Sequence, residues 1–290
     1  MGIRDDLYDR LAGLASALGL LPGERLASFL DRFGPYLSHY MEYGALYELP
    51  SVTALSVGQG AAFHDTLAQW LMDEGFSEED QARVGRLRSS VDDWMVVKVD
   101  VVGPAVPRAG VYLRRPVAMG AIDPVLLESG ATPAGCAAVH RVARALDVGC
   151  AQIVALGLGD SPDTKVYLGM CHGDPAPERI EEAFALLGVP FDGARRFLAA
   201  LPHVRAVSGS LLLSMFLRED GAAPVAKLDV FGVALRDLDR ACAAGGVTLG
   251  GLPSPSALGE RVGLRTAEHA GVLFRDGAPP ALSLYFPFDR

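Results

Sequence analysis

Only three of the 26 basic residues are lysines, Lys98, Lys165 and Lys227; the other 23 are arginines. Each lysine lies inside an apolar run with strand character: VVKVDVV, TKVYLGM and VAKLDVF. GC-rich codon usage accounts for the scarcity of lysine. It does not account for the shared phase K-x-[DY], which gives Lys98 with Asp100, Lys165 with Tyr167 and Lys227 with Asp229. Residues i and i+2 of a strand share a face. The lysine face therefore also holds Gly169 and Phe231, and the expected matches on neighbouring strands are Tyr112, Arg114, Ser283 and Tyr285. Burying an unpaired ammonium costs several kcal/mol. Two compensations are open. Asp100 and Asp229 can pair internally with Lys98 and Lys227, or a polyanion can complete the site. Lys165 and Arg114, with Arg115 or Arg218, have no internal partner in this reading, and a diphosphate supplies one.

The elements that must carry this face are hairpins. ALYELPSVTALSVG (45–58), DWMVVKVDVVGPAVPRAGVYLRRPV (93–117), AQIVALGLGDSPDTKVYLGM (151–170), RAVSGSLLLSMFLREDGAAPVAKLDVFGV (205–233) and HAGVLFRDGAPPALSLYFPF (269–288) each read as strand, polar turn, strand. Helical patterns separate them at 134–146, 177–187 with 191–201, and 235–244. Two more helices open the chain, with the stripes Leu7, Leu11, Leu14, Leu18 and Leu26, Leu30, Phe33, Leu37 on either side of Pro22-Gly23. The steps Lys98 to Lys165, Lys165 to Lys227 and Lys227 to Tyr285 are 67, 62 and 58 residues, so a unit of about sixty repeats. Hairpins joined by helices pair antiparallel. Five of them predict an α/β (α+β) fold: a closed, antiparallel ten-stranded β-barrel with helices outside and one strand face in the lumen. The chain is expected to form one domain, 1–290, with helices of 1–43 packed on the barrel.

Composition narrows the function. The chain of 290 residues is 50% hydrophobic and 21% charged, which supports a large core. Its net charge of −9 argues against a nucleic-acid partner, which wants a basic face. Apolar runs such as 204–217 are broken by Arg, Ser or Gly and are too short to span a bilayer, so no membrane partner is expected. MGIRDDLYDRLAG lacks a long apolar segment. Cys136, Cys150, Cys171 and Cys242 are far apart with no CxxC, which fits a reducing cytoplasm. The GLGD of 157–160 lacks the spacing of a dinucleotide loop, and His140, His172, His203 and His269 lack metal spacing. The stretch 246–256 reads as loop and is expected over a barrel mouth.

Repeated α-β-β-α units, a ten-stranded barrel and a lumen of bases and tyrosines resemble the ABBA aromatic prenyltransferases, over roughly 45–290. Lys165 and Tyr167 resemble that family's lysine–tyrosine strand, which grips diphosphate and shields the allyl cation. Lys227 resembles the lysine of the next repeat, Lys98 a basic diphosphate ligand, and Tyr285 in SLYF the last-strand tyrosine. The resemblance implies a prenyl transfer from dimethylallyl or a longer prenyl diphosphate to an indole, phenol or aromatic peptide side chain. It implies diphosphate binding by Lys98, Arg114, Lys165, Lys227 and Tyr285, and cation shielding by Tyr112, Tyr167 and Tyr285. Glu48 in LYELP is implied as the base, with Lys165 and Tyr167 as the other catalytic residues. No metal is required, since no DDxxD-type cluster is present; a Mg2+ would have to use Asp100. The chain departs from the family at Asp229, where indole-type members show tyrosine, and at Ser283, where a base is expected. A non-catalytic binder of an anionic small molecule on the same barrel, and an α+β interaction domain with no pocket holding all three lysines, are the alternatives.

Overall fold

The computed structural model describes residues 3–36, 42–46, 50–90, 95–103, 108–113, 115–159, 163–169, 177–201, 211–218 and 221–287. A pair of helices precedes every hairpin. Helices α1 (Ile3–Ala17) and α2 (Glu24–Phe33) lead into β1 (Glu42–Leu46) and β2 (Ser51–Gly58). Next come α3 (Gly60–Asp73), α4 (Glu78–Ser90), β3 (Met95–Val102) and β4 (Arg108–Leu113). A two-residue β5 (Val117–Ala118) precedes α5 (Ile122–Glu128), α6 (Pro133–Leu146), β6 (Cys150–Gly159) and β7 (Thr164–Gly169). Then follow α7 (Pro177–Leu186), α8 (Asp192–Ala199), β8 (Leu211–Arg218) and β9 (Gly221–Ala234). The last unit is α9 (Leu235–Gly245), α10 (Pro255–Val262), β10 (Thr266–Arg275) and β11 (Ala278–Pro287). All five expected hairpins are present. The helices α3, α4, α5 and α10 and the short β5 are additional to the expectation, and the first hairpin begins earlier, at Glu42. Pro255 and Ser256, expected in a loop, open α10, where the Ser254 hydroxyl accepts from the Ala257 backbone N–H at 3.3 Å.

The strands form one curled antiparallel sheet in the order β4-β3-β2-β1-β11-β10-β9-β8-β7-β6-β5. Strand β4 pairs with β3 through Met95↔Leu113 to Val99↔Ala109, and with β6 through Arg108↔Gly159 to Leu113↔Val154. Strand β5 extends the edge of β6 at Val117↔Ala151.

The main hydrophobic core lies between the sheet and the helices. On β3 the residues Val97, Val99 and Val101 are buried on the helix side, as are Val166 and Leu168 on β7 and Leu228 and Val230 on β9. They meet helix stripes such as Val139, Val142 and Leu146 of α6. Burying a side chain of this size contributes about 1.5–3 kcal/mol, so the outer face anchors the sheet and leaves the inner face free for polar residues. A smaller inner cluster of Ala155, Tyr167 and Leu212, with Tyr112, Ile153 and Phe231 against it, sits on that inner face. No helix among the described residues is long and apolar enough to cross a membrane.

Candidate functional site

The inner face holds two adjoining cavities. One, of about 210 Å3, is lined by Lys98, Lys165, Lys227, Arg108 and Arg275, with Asp100 the acid among them. The other, of about 440 Å3, is walled mainly by Leu55, Val96, Ile153, Leu212 and Phe231. Lys98, Tyr112, Tyr167, Lys227 and Tyr285 line both and form the throat between them. The three lysines thus meet in one place, on strands β3, β7 and β9, which removes the reading as an interaction domain with no shared lysine pocket.

Small cross-strand neighbours keep this space open. Tyr112 and Lys165 both flank Ala155, Lys98 faces Gly110, Tyr285 faces Gly44 and Lys227 faces Ser214. Gly271 on β10 is the tightest case: a Cβ there would stand 2.5 Å from both Lys227 Nζ and Asp229 Oδ1. Only glycine lets that ion pair lie across the strand.

The charges are compensated unequally. Lys227 Nζ lies 2.6 Å from Asp229 Oδ1, and His269 Nε2 lies 3.4 Å from the same oxygen. The Ser214 hydroxyl donates to Asp229 Oδ2 at 2.8 Å. Burial alone would raise the Asp229 carboxyl, but Lys227 and His269 hold it well below the usual carboxylate range. Asp100 does not pair with Lys98 as the sequence suggested. It takes Arg108 at 2.6 Å and the Thr53 hydroxyl at 2.8 Å, because β4 brings Arg108 in beside it. Lys98 instead donates to the Tyr285 hydroxyl at 2.5 Å. Among the described residues no carboxylate lies within ion-pair distance of Lys165, whose Nζ is 5.1 Å from the centroid of the Phe216 ring. Burial, with Lys98 and Lys227 nearby, pushes its amine down to about 8. Burial likewise raises the Tyr112 and Tyr167 hydroxyls, so both rings are neutral phenols. The His269 ring stacks on Tyr285 at 3.9 Å and leans on Phe231 at 5.3 Å, an aromatic row across β9, β10 and β11.

Tyr112, Lys165, Tyr167, Gly169, Lys227, Asp229, Phe231, Ser283 and Tyr285 therefore line the cavities with Lys98 and Asp100. Glu48 and Arg114 lie outside the described residues. Arg115 is exposed, and Arg218 points outward to Asp163 at 3.3 Å. No residue of 246–256 lines either cavity. The sequence reading missed Arg108, Arg275 and His269, yet period-two alternation back from Tyr112 reaches Arg108, and alternation forward from His269 reaches Arg275. Asp100 is occupied by a guanidinium and a hydroxyl donor, an arrangement that does not fit Mg2+. Among the described residues no group of three or more His, Cys, Asp or Glu is placed to hold a metal ion.

No protein-family model and no curated protein matches the sequence. Solved structures do match in shape. The 6-dimethylallyltryptophan synthase from Micromonospora olivasterospora, in complex with DMASPP and Trp, aligns with a TM-score of 0.69 at 17% identity, over 99% of this chain and 97% of that one. The prenyltransferase PriB, in a ternary complex with L-tryptophan and dimethylallyl thiolodiphosphate, aligns with a TM-score of 0.65 at 15% identity, over 99% and 96%. AnaPT from Neosartorya fischeri gives 0.64 at 12%, over 96% and 91%. From end to end, the chain has the fold of these prenyltransferases.

Proposed function

We propose that the chain is an aromatic prenyltransferase that moves a dimethylallyl group from its diphosphate to an indole- or phenol-type acceptor. The observation that carries this reading is the cationic cavity opening through a tyrosine throat into an apolar one. Three lysines and two arginines line that chamber, and although Asp229 pairs with Lys227 and Asp100 with Arg108, no carboxylate among the described residues lies within ion-pair distance of Lys165, which favours a polyanion there. The alignment with proteins crystallised with dimethylallyl diphosphate analogues and tryptophan supports the same assignment.

In this reading the donor's C–O bond breaks and diphosphate leaves with the electron pair. Lys98, Lys165, Lys227 and Tyr285, with Arg108 and Arg275 added to the set and Arg114 retained from the sequence, stabilise the departing charge as fixed cations and donors. Tyr112, Tyr167 and Tyr285 surround the allyl cation with electron-rich rings that attract it and exclude water. The aromatic acceptor in the apolar cavity attacks, a C–C bond forms, and the arenium proton passes to a base, for which Glu48 remains the proposal. Fixed Lys and Arg take the place of a metal. The strand pairings support a closed barrel, because β4 has both β3 and β6 as neighbours and ten strands then form a ring. One sheet draws strands from residues 42 to 287, which supports a single domain of 1–290. The thiols of Cys136 and Cys242, which form no disulfide, fit a cytoplasmic location.

The test is product formation from dimethylallyl diphosphate and a panel of indoles and phenols, with and without chelator. Prenylated product that persists in chelator is expected. Diphosphate binding with no alkylation of any acceptor would make the protein a carrier, and strict magnesium dependence would return Asp100 to a metal role.

A further inference from the structure

One level of the inner face is a row of rings. Phe231 on β9, His269 on β10 and Tyr285 on β11 are direct cross-strand neighbours, and Gly44 on β1 follows Tyr285. The rings of His269 and Tyr285 stack at 3.9 Å with their planes 10° apart. Among the described residues every other ring pair is at least 5.0 Å apart and tilted by 30° or more. Aromatic pairs prefer an offset or edge-to-face arrangement over a sandwich, so this stack is imposed by what holds its two rings. His269 Nε2 lies 3.4 Å from Asp229 Oδ1, and Phe231 backs the imidazole at 5.3 Å. The Tyr285 hydroxyl accepts from Lys98 Nζ at 2.5 Å, although β1 and β2 stand between their strands. Gly44 leaves that path open: a Cβ there would stand 2.9 Å from Tyr285 Cδ1 and 3.3 Å from Cε1.

A tyrosine that leans over a glycine can fall back toward the opposite strand unless something fills that side. His269 fills it. The imidazole is flat enough to wedge between Tyr285 and Phe231, and Asp229, which also holds Lys227 at 2.6 Å, pins the wedge through Nε2. A side chain locked by its own packing and polar partner is what keeps a neighbouring functional group in place. Resting on the prenyl-transfer reading, we propose that His269 is a positioning residue: acting through Tyr285, it keeps that ring in the throat with its hydroxyl on Lys98. The ring then faces the allyl cation, and Lys98 faces the departing diphosphate. In this role His269 exchanges no proton and forms no bond with either substrate. A displacement of about 1 Å in such a group is enough to cost up to about 10²-fold in rate.

Two substitutions divide the residue. His269→Gln keeps an N–H for Asp229 and removes the ring, whereas His269→Phe keeps the ring and removes the N–H. With dimethylallyl diphosphate and a panel of indoles and phenols, His269→Gln is expected to lower kcat by about tenfold or more. It should also raise the ratio of prenyl alcohol to prenylated product, because a loose Tyr285 admits water to the cation. His269→Phe should hold that ratio nearer the wild type while its melting temperature falls, since Asp229 gives up a partner. The deciding step is a double-mutant cycle. Tyr285→Ala should raise the ratio by itself, and adding His269→Gln to it should raise it no further. A histidine that serves folding alone would lower alcohol and adduct together. A wild-type ratio in His269→Gln, or an effect undiminished in the Tyr285→Ala background, overturns the role of His269 and leaves prenyl transfer standing. Where the glutamine variant does not fold, His269→Phe decides: a ratio as high as that of Tyr285→Ala overturns the role, and a lower one supports it. A wild type that alkylates no acceptor overturns both readings.

Discussion

The hairpins β6–β7 and β8–β9 each place a lysine on the second strand, facing the same cavity, and treat its charge in opposite ways. Lys227 has an acid two residues on, and Asp229 gathers Lys227, His269 and Ser214 into a buried node. Lys165 has a tyrosine two residues on; among the described residues no carboxylate lies within ion-pair distance of it, and burial with Lys98 and Lys227 nearby outweighs the more distant Asp163 and Asp100. One substitution in the repeat, Asp for Tyr, decides whether the charge is balanced by the fold or held for a ligand. The compensated lysine is a structural part that also lines the site. The uncompensated one destabilises the empty protein and is balanced when an anion arrives.

The largest expected effect falls on the compensated side. Asp229→Ala leaves Lys227 and His269 buried beside each other with no carboxylate, and breaking a buried pair in this way costs about 3–5 kcal/mol. Chemical denaturation should show a loss of that size. Unchanged stability would mean that water already reaches the node and that the two hairpins do not differ as described.

The uncompensated side predicts a pH effect of comparable order. Lys165 gives up its proton at about 8 in the folded chain and at the ordinary 10.5 when unfolded. Between those values the unfolded chain binds more protons, so the empty protein gains stability as pH rises through the window, by on the order of 3 kcal/mol. Below the window both states are charged and the burial penalty is felt in full. Binding inorganic diphosphate at pH 8.5 should draw a proton onto Lys165, visible in calorimetry as a heat that depends on the buffer's ionisation enthalpy. Lys165→Met should remove both signals; their persistence would assign them to another group.

Turnover separates the hairpins next. Lys165→Ala removes a fixed cation aimed at the leaving group and is expected to lower kcat by on the order of 10²-fold or more, while the melting temperature stays level or rises. Full activity with a raised melting temperature would show that the lysine serves no anion and would weigh against prenyl transfer.

The same contrast explains what the sequence could reveal. The hairpins were legible because period-two alternation and Gly, Pro and Asp turns are local signals, and the lysine face followed from parity alone. Helix α3 carries a stripe of Phe63, Leu67, Trp70 and Leu71 that the same periodicity rule reads. Helix α4, EEDQARVGRLRSS, has few apolar residues, and its buried Arg83, besides pairing with Asp80 at 3.8 Å, reaches the distant Gly157 and Ser129 carbonyls at 3.1 and 3.3 Å. Partner choice was equally illegible. Asp100 lies two residues from Lys98, but its partner Arg108 arrives from the neighbouring strand, and such register depends on the turn between them. Strands β6 and β7 slip register between Ala151, which faces Leu168, and Ile153, which faces Tyr167; this bulge at Gln152 reverses parity at one residue, and nothing in CAQIVALG marks it.

Tyr167 gives the finest test of the comparison, because it is the residue that takes the acid's place. Its ring is buried, its hydroxyl is held neutral and shares a side-chain hydrogen bond with Tyr112, and the two ring centroids are 6.1 Å apart. Tyr167→Phe keeps the ring over the cation and gives up one neutral hydrogen bond. A net loss near 1 kcal/mol, under about tenfold in kcat, is expected. Tyr167→Ala removes the π face and opens the throat to water, so it should cost more and divert product toward the prenyl alcohol. The alcohol-to-adduct ratio is the deciding measurement, since loss of folding alone lowers both products together. A ratio that rises in the alanine variant and not in the phenylalanine one assigns shielding to the ring. Equal ratios in both would mean that Tyr112 and Tyr285 close the throat by themselves, and Tyr167 would then be a spacer that keeps an acid away from Lys165.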